Sequence, residues 1–314
     1  MKIEIKKNIS KYYLTITFGF LFFISLGTFL IKTYFDLLEK KSDSTKPLLL
    51  ILFGIGTILI GFYTVFRYYK NTPKITVFEE KIQLNNKSFN LNEIKTIQLT
   101  GKMPFKYVIT FPMEGIYIKL KSNEEIFLFD DMYSNLWELK DFINKVYFKN
   151  ETYPNLSKTN QTISNSEFYK YYNSSQFLSY RGLMLWGLLI PISYGLIFIK
   201  QNLNFTGYIF FITFAVFWYY FNSWLMHHYG VSVKFLIIKN TNLPWKRNIY
   251  SLNDIKEIVI ESEGKMPICL RVITNNFQTK LFPGATLSES TWKQLKTDLR
   301  NKKIIVRDEC IDFE

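Results

Sequence analysis

The sequence is poor in the residues from which most catalytic and metal-binding sites are built. Among its 314 residues there are two cysteines and two histidines. Cys269 and Cys310 form no C-x-x-C pair, which excludes a thiolate metal cluster and a disulfide framework and fits a reducing compartment. His227 and His228 are adjacent, and neighbours on a helix diverge, so they do not chelate one ion as an i, i+4 pair does. No third ligand stands out, and no metal or cofactor is expected. A nucleophile elbow, a zincin helix, a dinucleotide fingerprint, a Walker A loop and a kinase signature are all missing. Charge is missing too, in four places. No Asp, Glu, Lys or Arg occurs between Lys11 and Lys32, Lys46 and Arg67, Arg181 and Lys200, or Lys200 and Lys234.

Those uncharged runs are apolar and of about the 20-residue length that a bilayer core takes as a helix. They predict four transmembrane helices over 12–31, 47–66, 182–199 and 207–226. Tyr12, Tyr13, Tyr63, Tyr68, Tyr69, Tyr180, Trp186 and Tyr229 fall near the run ends, as aromatic belts do. The first run is too long for a signal-peptide core and no A-x-A site follows, so it reads as an uncleaved anchor. The absence of charge within the runs argues against an ion-coupled transporter. The net charge of +13 is accounted for by lysines and arginines flanking the runs, not by a nucleic-acid partner. Lys2, Lys6, Lys7 and Lys11 precede the first run, and Arg67, Lys70, Lys74 and Lys81 follow the second. By the positive-inside rule both termini and both long polar segments are expected in the cytoplasm.

One stretch occurs twice. Residues 18–32 and 186–200 align without a gap, sharing Gly19/Gly187, Leu21/Leu189, Ile24/Ile192, Ser25/Ser193, Gly27/Gly195, Ile31/Ile199 and Lys32/Lys200. Lys11-Tyr12-Tyr13 has a counterpart in Lys170-Tyr171-Tyr172. Downstream, Leu91-Asn92-Glu93-Ile94-Lys95 answers Leu252-Asn253-Asp254-Ile255-Lys256, and Gly101-Lys102-Met103-Pro104 answers Gly264-Lys265-Met266-Pro267. This predicts a tandem duplication.

The expected organisation is a first hairpin over 1–71, a β domain over 72–148, a polar linker over 149–177, a second hairpin over 178–229 and a second β domain over 230–314. Residues 1–11 read as a basic lead-in. Short β-branched and aromatic runs punctuated by turn residues predict strands at 75–78, 81–84, 88–90, 94–99, 107–111, 115–120 and 125–129. Leu136, Leu139, Ile143 and Val146 predict a helix over 135–147, with Trp137 adding to that face. In the second half, strands are expected at 231–238, 247–250, 255–261, 270–274 and 278–282, then a helix over 289–300 in which Trp292 answers Trp137. The tail 303–314 is a candidate extra strand. Gly54, Gly56 and Gly61 predict close packing within the first hairpin.

Two helices, about seven strands and a closing helix resemble bacterial membrane proteins with a pleckstrin-homology-like domain. Thr72-Pro73-Lys74-Ile75-Thr76 leading to Lys81-Ile82 is similar to their first hairpin. Asn92-Glu93-Ile94-Lys95-Thr96-Ile97 is similar to their recurring D-I-K-x-I strand. The resemblance implies four transmembrane helices in two hairpins, each followed by a small β-barrel or sandwich with a C-terminal helix. It brings no catalytic residue.

The Gly101-Lys102 and Gly264-Lys265 matches have two readings. A Gly-Lys turn beside a membrane suits a lipid phosphate, with Lys102 and Lys265 as point-charge donors; it equally suits a plain β-turn ended by proline. Asp130-Asp131 would serve acid–base or Mg²⁺ chemistry, or complement the N-terminus of the following helix, and the second half lacks the pair. The leading expectation is a non-enzymatic membrane-anchored binding or scaffolding module that engages a protein, peptide or lipid head group, or a second copy of itself. The alternative is a ligand-gated, membrane-disrupting effector. An integral-membrane enzyme would have to use Asp130, Asp131, His227 or His228.

Overall fold

The structure, a computed structural model, describes residues 2–39, 46–79, 81–149, 168–198, 205–262 and 267–310. The chain divides into two compact units, Met1–Asn155 and Leu156–Glu314.

The first unit opens on a strand. In β1 (Lys2–Ile5) the apolar Ile3 and Ile5 alternate with Lys2 and Glu4. Asn8 then caps a π-helical turn, Ile9–Leu14, which runs on into α1 (Thr15–Glu39). The helix α2 (Lys46–Asn71) returns, and β2 (Ile75–Phe78) pairs antiparallel with β1, Lys2 opposite Phe78 and Ile5 opposite Ile75. The two helices are therefore inserted between neighbouring strands of one sheet. The expected basic lead-in is that sheet's first strand. Its two periods of alternation are masked by the lysine-rich flank.

The strands β3 (Lys81–Leu84) and β4 (Lys87–Asn90) complete the order β1-β2-β3-β4. Asn85 turns their hairpin at φ 52°, a conformation Asn tolerates. Next come β5 (Ile94–Gln98), β6 (Lys102–Phe105), β7 (Phe111–Leu120) and β8 (Glu125–Phe129). The long β7 pairs with β6 through its first residues and with β5 and β8 further on. The strand expected at 107–111 is a bent loop, and β6 occupies residues read as a turn. Pro104 lies within β6 opposite Pro112; β6 pairs with β7 alone, an edge position where a missing N–H is tolerated. The closing helix α3 (Leu136–Ile143) buries Leu136, Leu139, Phe142 and Ile143, while Trp137 is only half-buried.

The second unit is also built from a strand, two helices, strands and a closing helix. β9 (Lys170–Tyr172) lies inside the stretch expected to be linker, of which 150–167 are outside the described residues. The helices α4 (Tyr180–Phe198) and α5 (Phe205–Trp224) separate β9 from its antiparallel partner β10 (His227–Val231). With β11 (Phe235–Asn240) and β12 (Arg247–Ser251) they give the order β12-β11-β10-β9. The single strand expected at 231–238 is a hairpin, turned where Ser232 Oγ accepts from the amides of Lys234 and Phe235. A second sheet holds β13 (Ile255–Glu261), β14 (Cys269–Thr274) and β15 (Thr279–Pro283). The helix α6 (Glu289–Asn301) buries Trp292, Leu295 and Leu299. The tail supplies β16 (Val306–Asp308), parallel to β13.

The expectation of four transmembrane helices in two hairpins is corrected. Among the described residues two helices are long and apolar enough to cross a membrane, Ile9–Glu39 and Leu48–Asn71. The physical reason lies in length and sequence. α4 begins at Tyr180-Arg181 and contains Pro191. The last turn of α5 sets two fully buried polar residues, Asn222 and Ser223 at 0% exposure, between the exposed Phe221 and Trp224. Without that turn α5 rises only about 26 Å at 1.5 Å per residue, against a hydrocarbon core of about 30 Å.

The repeated motifs fare differently. Leu91–Glu93 and Leu252–Asp254 are both 3₁₀ turns leading into a strand that bulges at once, after Ile94 and after Ile255. The Glu93 carbonyl accepts from Lys121 N and the Asp254 carbonyl from Asn275 N, both at 2.8 Å. Lys11-Tyr12-Tyr13, in contrast, lies in the π-helical turn and Lys170-Tyr171-Tyr172 in β9, so that match is not structural.

Packing within the first hairpin depends on Gly27 and Gly54. A Cβ on Gly27 would stand 2.6 Å from Ile58 Cγ1 and 2.7 Å from the Gly54 carbonyl, whereas one on Gly56 would meet nothing within 4 Å. Gly27→Ala is expected to destabilise the hairpin by about 1–3 kcal/mol, the usual range for overpacking. Gly56→Ala is expected to be neutral or slightly stabilising. Thermal unfolding of the full chain in detergent, with the two variants side by side, checks both.

Candidate membrane-interface site

The ends of α1 and α2 nearest the β layers of the first unit are ringed by basic and aromatic side chains. The start of α1 is held by the loop before α3. Asn8 Oδ1 accepts from the amides of Ser10 and Lys11, and Asn8 N donates to the Met132 carbonyl at 2.8 Å. Lys6 N donates to Asn135 Oδ1 at 2.7 Å, and Ser134 N to the Lys6 carbonyl at 2.9 Å. Lys7 Nζ donates to Tyr12 Oη at 2.9 Å and lies 5.3 Å from the centre of the Tyr69 ring. Lys11 pairs with Asp131 at 2.6 Å.

The last turns of α2 are tied to the β6–β7 loop, residues 106–110. Arg67 Nε and Asn71 Nδ2 both donate to the Lys106 carbonyl, at 3.1 and 2.7 Å. Thr64 Oγ1 and Tyr107 Oη share a hydrogen bond at 2.5 Å. The Tyr107 ring packs against those of Tyr63 and Tyr68, and Tyr68 packs edge-on to Phe105. Lys6, Lys70, Lys74 and Lys106 are exposed, and Lys7, Lys11 and Arg67 half-exposed. The result is a cationic collar at the level where an apolar helix pair meets a polar domain, which is the chemistry of a head-group layer.

No protein-family model and no curated protein matches this chain. The side chains singled out from sequence therefore stand on their geometry alone.

Lys102 opens β6 opposite Glu114 in the ladder and is half-exposed. Gly101 takes φ 137° and donates its amide to the buried Glu114 carboxylate at 2.6 Å. An anion at this bend would meet the Lys102 side chain but not a free Gly101 amide. Lys265 and its neighbours Gly264 and Met266 lie outside the described residues.

Asp130 and Asp131 do not act as a pair. They sit in a 3₁₀ turn, where Asp131 holds Lys11 and Asp130 is buried against Lys140 of α3, 2.7 Å from its Nζ. Both roles are structural, through ion pairs and not through the helix N-terminus. His227 and His228 open β10 instead of ending a helix, and so point to opposite faces of the sheet. His227 Nδ1 lies 3.1 Å from the Pro283 carbonyl, and His228 Nδ1 3.1 Å from Thr241 Oγ1. Among the described residues no group of three His, Cys, Asp or Glu is placed to hold a metal ion.

Three buried ion pairs were not anticipated from sequence: Lys140–Asp130, Arg271–Glu261 and Lys296–Asp308, the last at 2.5 Å. Their signal was a charge interrupting an apolar face, as in Leu139-Lys140 or Leu270-Arg271-Val272. At the surface, Asp298 of α6 accepts from Lys170 Nζ at 2.5 Å and from the Tyr172 hydroxyl, tying β9 to the closing helix. Those two donors hold the Asp298 carboxyl below the usual range.

Proposed function

We propose that the chain is a membrane-anchored, non-enzymatic binding module whose β domains, each like a pleckstrin-homology domain, face the cytoplasm and take an anionic lipid head group as ligand. The observation that carries this reading is the cationic collar of the first unit, where Arg67, Lys70, Lys106 and the N-terminal lysines surround the roots of two apolar helices. Lys102 stands at the opposite end of β6 from Lys106, and Lys265 is its sequence counterpart. A two-pass topology with both termini inside agrees with the lysines and arginines on the polar sides of 12–31 and 47–66.

Native mass spectrometry of the full chain, with phosphatidylglycerol and phosphatidylcholine offered in equal amounts, tests the reading. Selective retention of phosphatidylglycerol is expected, reduced several-fold in Lys70→Glu/Lys102→Glu. Equal retention of the two lipids overturns it.

The alternative, a ligand-gated membrane effector, is favoured by one feature. The connectors 6–8 and 72–74 are so short that a change in the β sheet would be felt directly by α1 and α2. Overexpression that leaves the membrane potential intact, with and without candidate nucleotides, counts against it.

The two units are further proposed to be copies of one ancestral module. The shared turn, strand and bulge at Leu91 and Leu252 support this. Those two turns occupying different places in their sheets would exclude it.

A further inference from the structure

We infer that the β6–β7 loop is a membrane-dipping anchor, with Val108 and Ile109 seated in the bilayer beside α2. The other hairpin turns of the first unit are polar: Asn85-Asn86 between β3 and β4, and Lys121 to Glu124 between β7 and β8. The β6–β7 loop carries Tyr107-Val108-Ile109 at its tip, with Val108 66% and Ile109 77% exposed. Two adjacent aliphatic side chains so placed are a cost in water and a gain in lipid.

The hydrogen bonds fix where the tip lies. Lys106 is held by Asn71 and Arg67, and Tyr107 by Thr64. From Asn71 to Thr64 is about 10 Å along a helix at 1.5 Å per residue. The Tyr107 side chain therefore reaches down α2 past Arg67, the first charge after Lys46, while the Tyr107 carbonyl lies 3.5 Å from the Tyr63 hydroxyl. At this depth α2 exposes Leu59, Ile60, Phe62 and Phe66. Val108 and Ile109 thus continue an apolar surface that belongs to a candidate membrane span. Arg67 and Lys106 lie one step above, at head-group height, with Tyr63 and Tyr107 between, an order that matches an interfacial boundary. Tyr107 is the hinge pin: its ring rests on Tyr63 and Tyr68 and its hydroxyl on Thr64, so the loop cannot lift without breaking those contacts.

The occupant proposed is the lipid bilayer itself. The loop would be a third contact besides α1 and α2, and would fix the tilt of the β domain above the membrane. The inference rests on the reading that α2 spans the bilayer, and the test separates the two.

The full chain, with Cys310→Ser, is labelled with an environment-sensitive fluorophore at Val108→Cys, Ile109→Cys, Leu59→Cys or Ser122→Cys. The buried Cys269 is checked for lack of labelling. The proteins are reconstituted in phosphatidylcholine vesicles with and without doxyl-labelled lipid. At 108 and 109 the fluorophore is expected to be blue-shifted and quenched by shallow doxyl groups by at least half as much as at Leu59. At Ser122 it is expected to stay unquenched. Quenching at Leu59 but none at 108 and 109 overturns the loop anchor and leaves the span intact. A blue shift at 108 and 109 without lipid quenching overturns it in favour of a protein cover, such as a second copy. Loss of quenching at Leu59 as well would show that the span itself is wrong.

Discussion

Replacing Arg271 with methionine is expected to destabilise the second unit by about 3–5 kcal/mol, the cost of leaving one partner of a buried ion pair behind. Arg271 Nε lies 2.5 Å from Glu261 Oε1, and both side chains are 1% exposed. β13 and β14 carry them on neighbouring strands, Glu261 opposite Cys269, so the guanidinium reaches diagonally across the ladder. Its Nη1 also donates to Thr279 Oγ1 of β15 at 3.4 Å, and the residue thereby spans three strands. Methionine fills most of the volume but donates nothing, and the buried Glu261 carboxylate loses the guanidinium. Arg271→Met/Glu261→Leu removes both charges and should recover most of the loss, because the penalty belongs to the solitary charge and not to the missing attraction. Thermal unfolding of the full chain in detergent, with hydrogen exchange of β13 and β14, distinguishes the two variants. Equal destabilisation by the single and double changes would refute this account.

Acidification is expected to weaken the same unit through His227. Burial is the main cause that pushes its pKa down to about 4; the Pro283 carbonyl opposes this, and Lys246, His228 and Lys280 add to it. An unfolded histidine titrates near 6.5. Between these two values the unfolded chain binds the proton and the folded chain does not, so stability falls as pH drops from about 6.5 to about 4. By linkage the loss is about 2 kcal/mol at pH 5 and about 3 kcal/mol once both forms are protonated. His227→Gln keeps a donor for the Pro283 carbonyl but does not titrate. The variant should therefore flatten the stability profile between pH 6.5 and 4.5, and a profile as steep as that of the unaltered chain would show that another group is responsible.

What could be read from the sequence follows from the range of each signal. Strands set off by turn residues and adjacent in sequence to a ladder partner, such as β2, β3 and β8, and helices with a full apolar face, α3 and α6, were legible because their signal is local. The two long apolar helices of the first unit were legible from uncharged length. β1 and β9 were not, since their ladder partners lie beyond two helices and no turn beside them marks a hairpin. α4 and α5 misled because an uncharged run reports apolarity but not polarity or burial; Asn222 and Ser223 are uncharged yet fully buried, and the Ser223 carbonyl accepts from Asn240 of β11. β6 was hidden by Pro104, which reads as a terminator unless the strand is known to be an edge. The collar was half visible as flanking lysines and tyrosines. The lock between Tyr107 and α2 was not, because Tyr107 looked like the start of a strand. The buried pairs escaped because a lysine or arginine in an apolar run gives no hint of the carboxylate it will find.

The insertion of α1 and α2 between β1 and β2 also has a consequence for biogenesis. β1 is synthesised before both helices and its partner β2 after them, so Ile5 meets Ile75 only when the hairpin is complete. If just one helix enters the bilayer, β1 and β2 are left on opposite faces of the membrane and cannot pair. The sheet then stops at three strands with the edge of β2 bare, the kind of surface that invites aggregation and proteolysis. On the proposed two-pass reading, closure of this four-residue strand would report that both helices had been threaded.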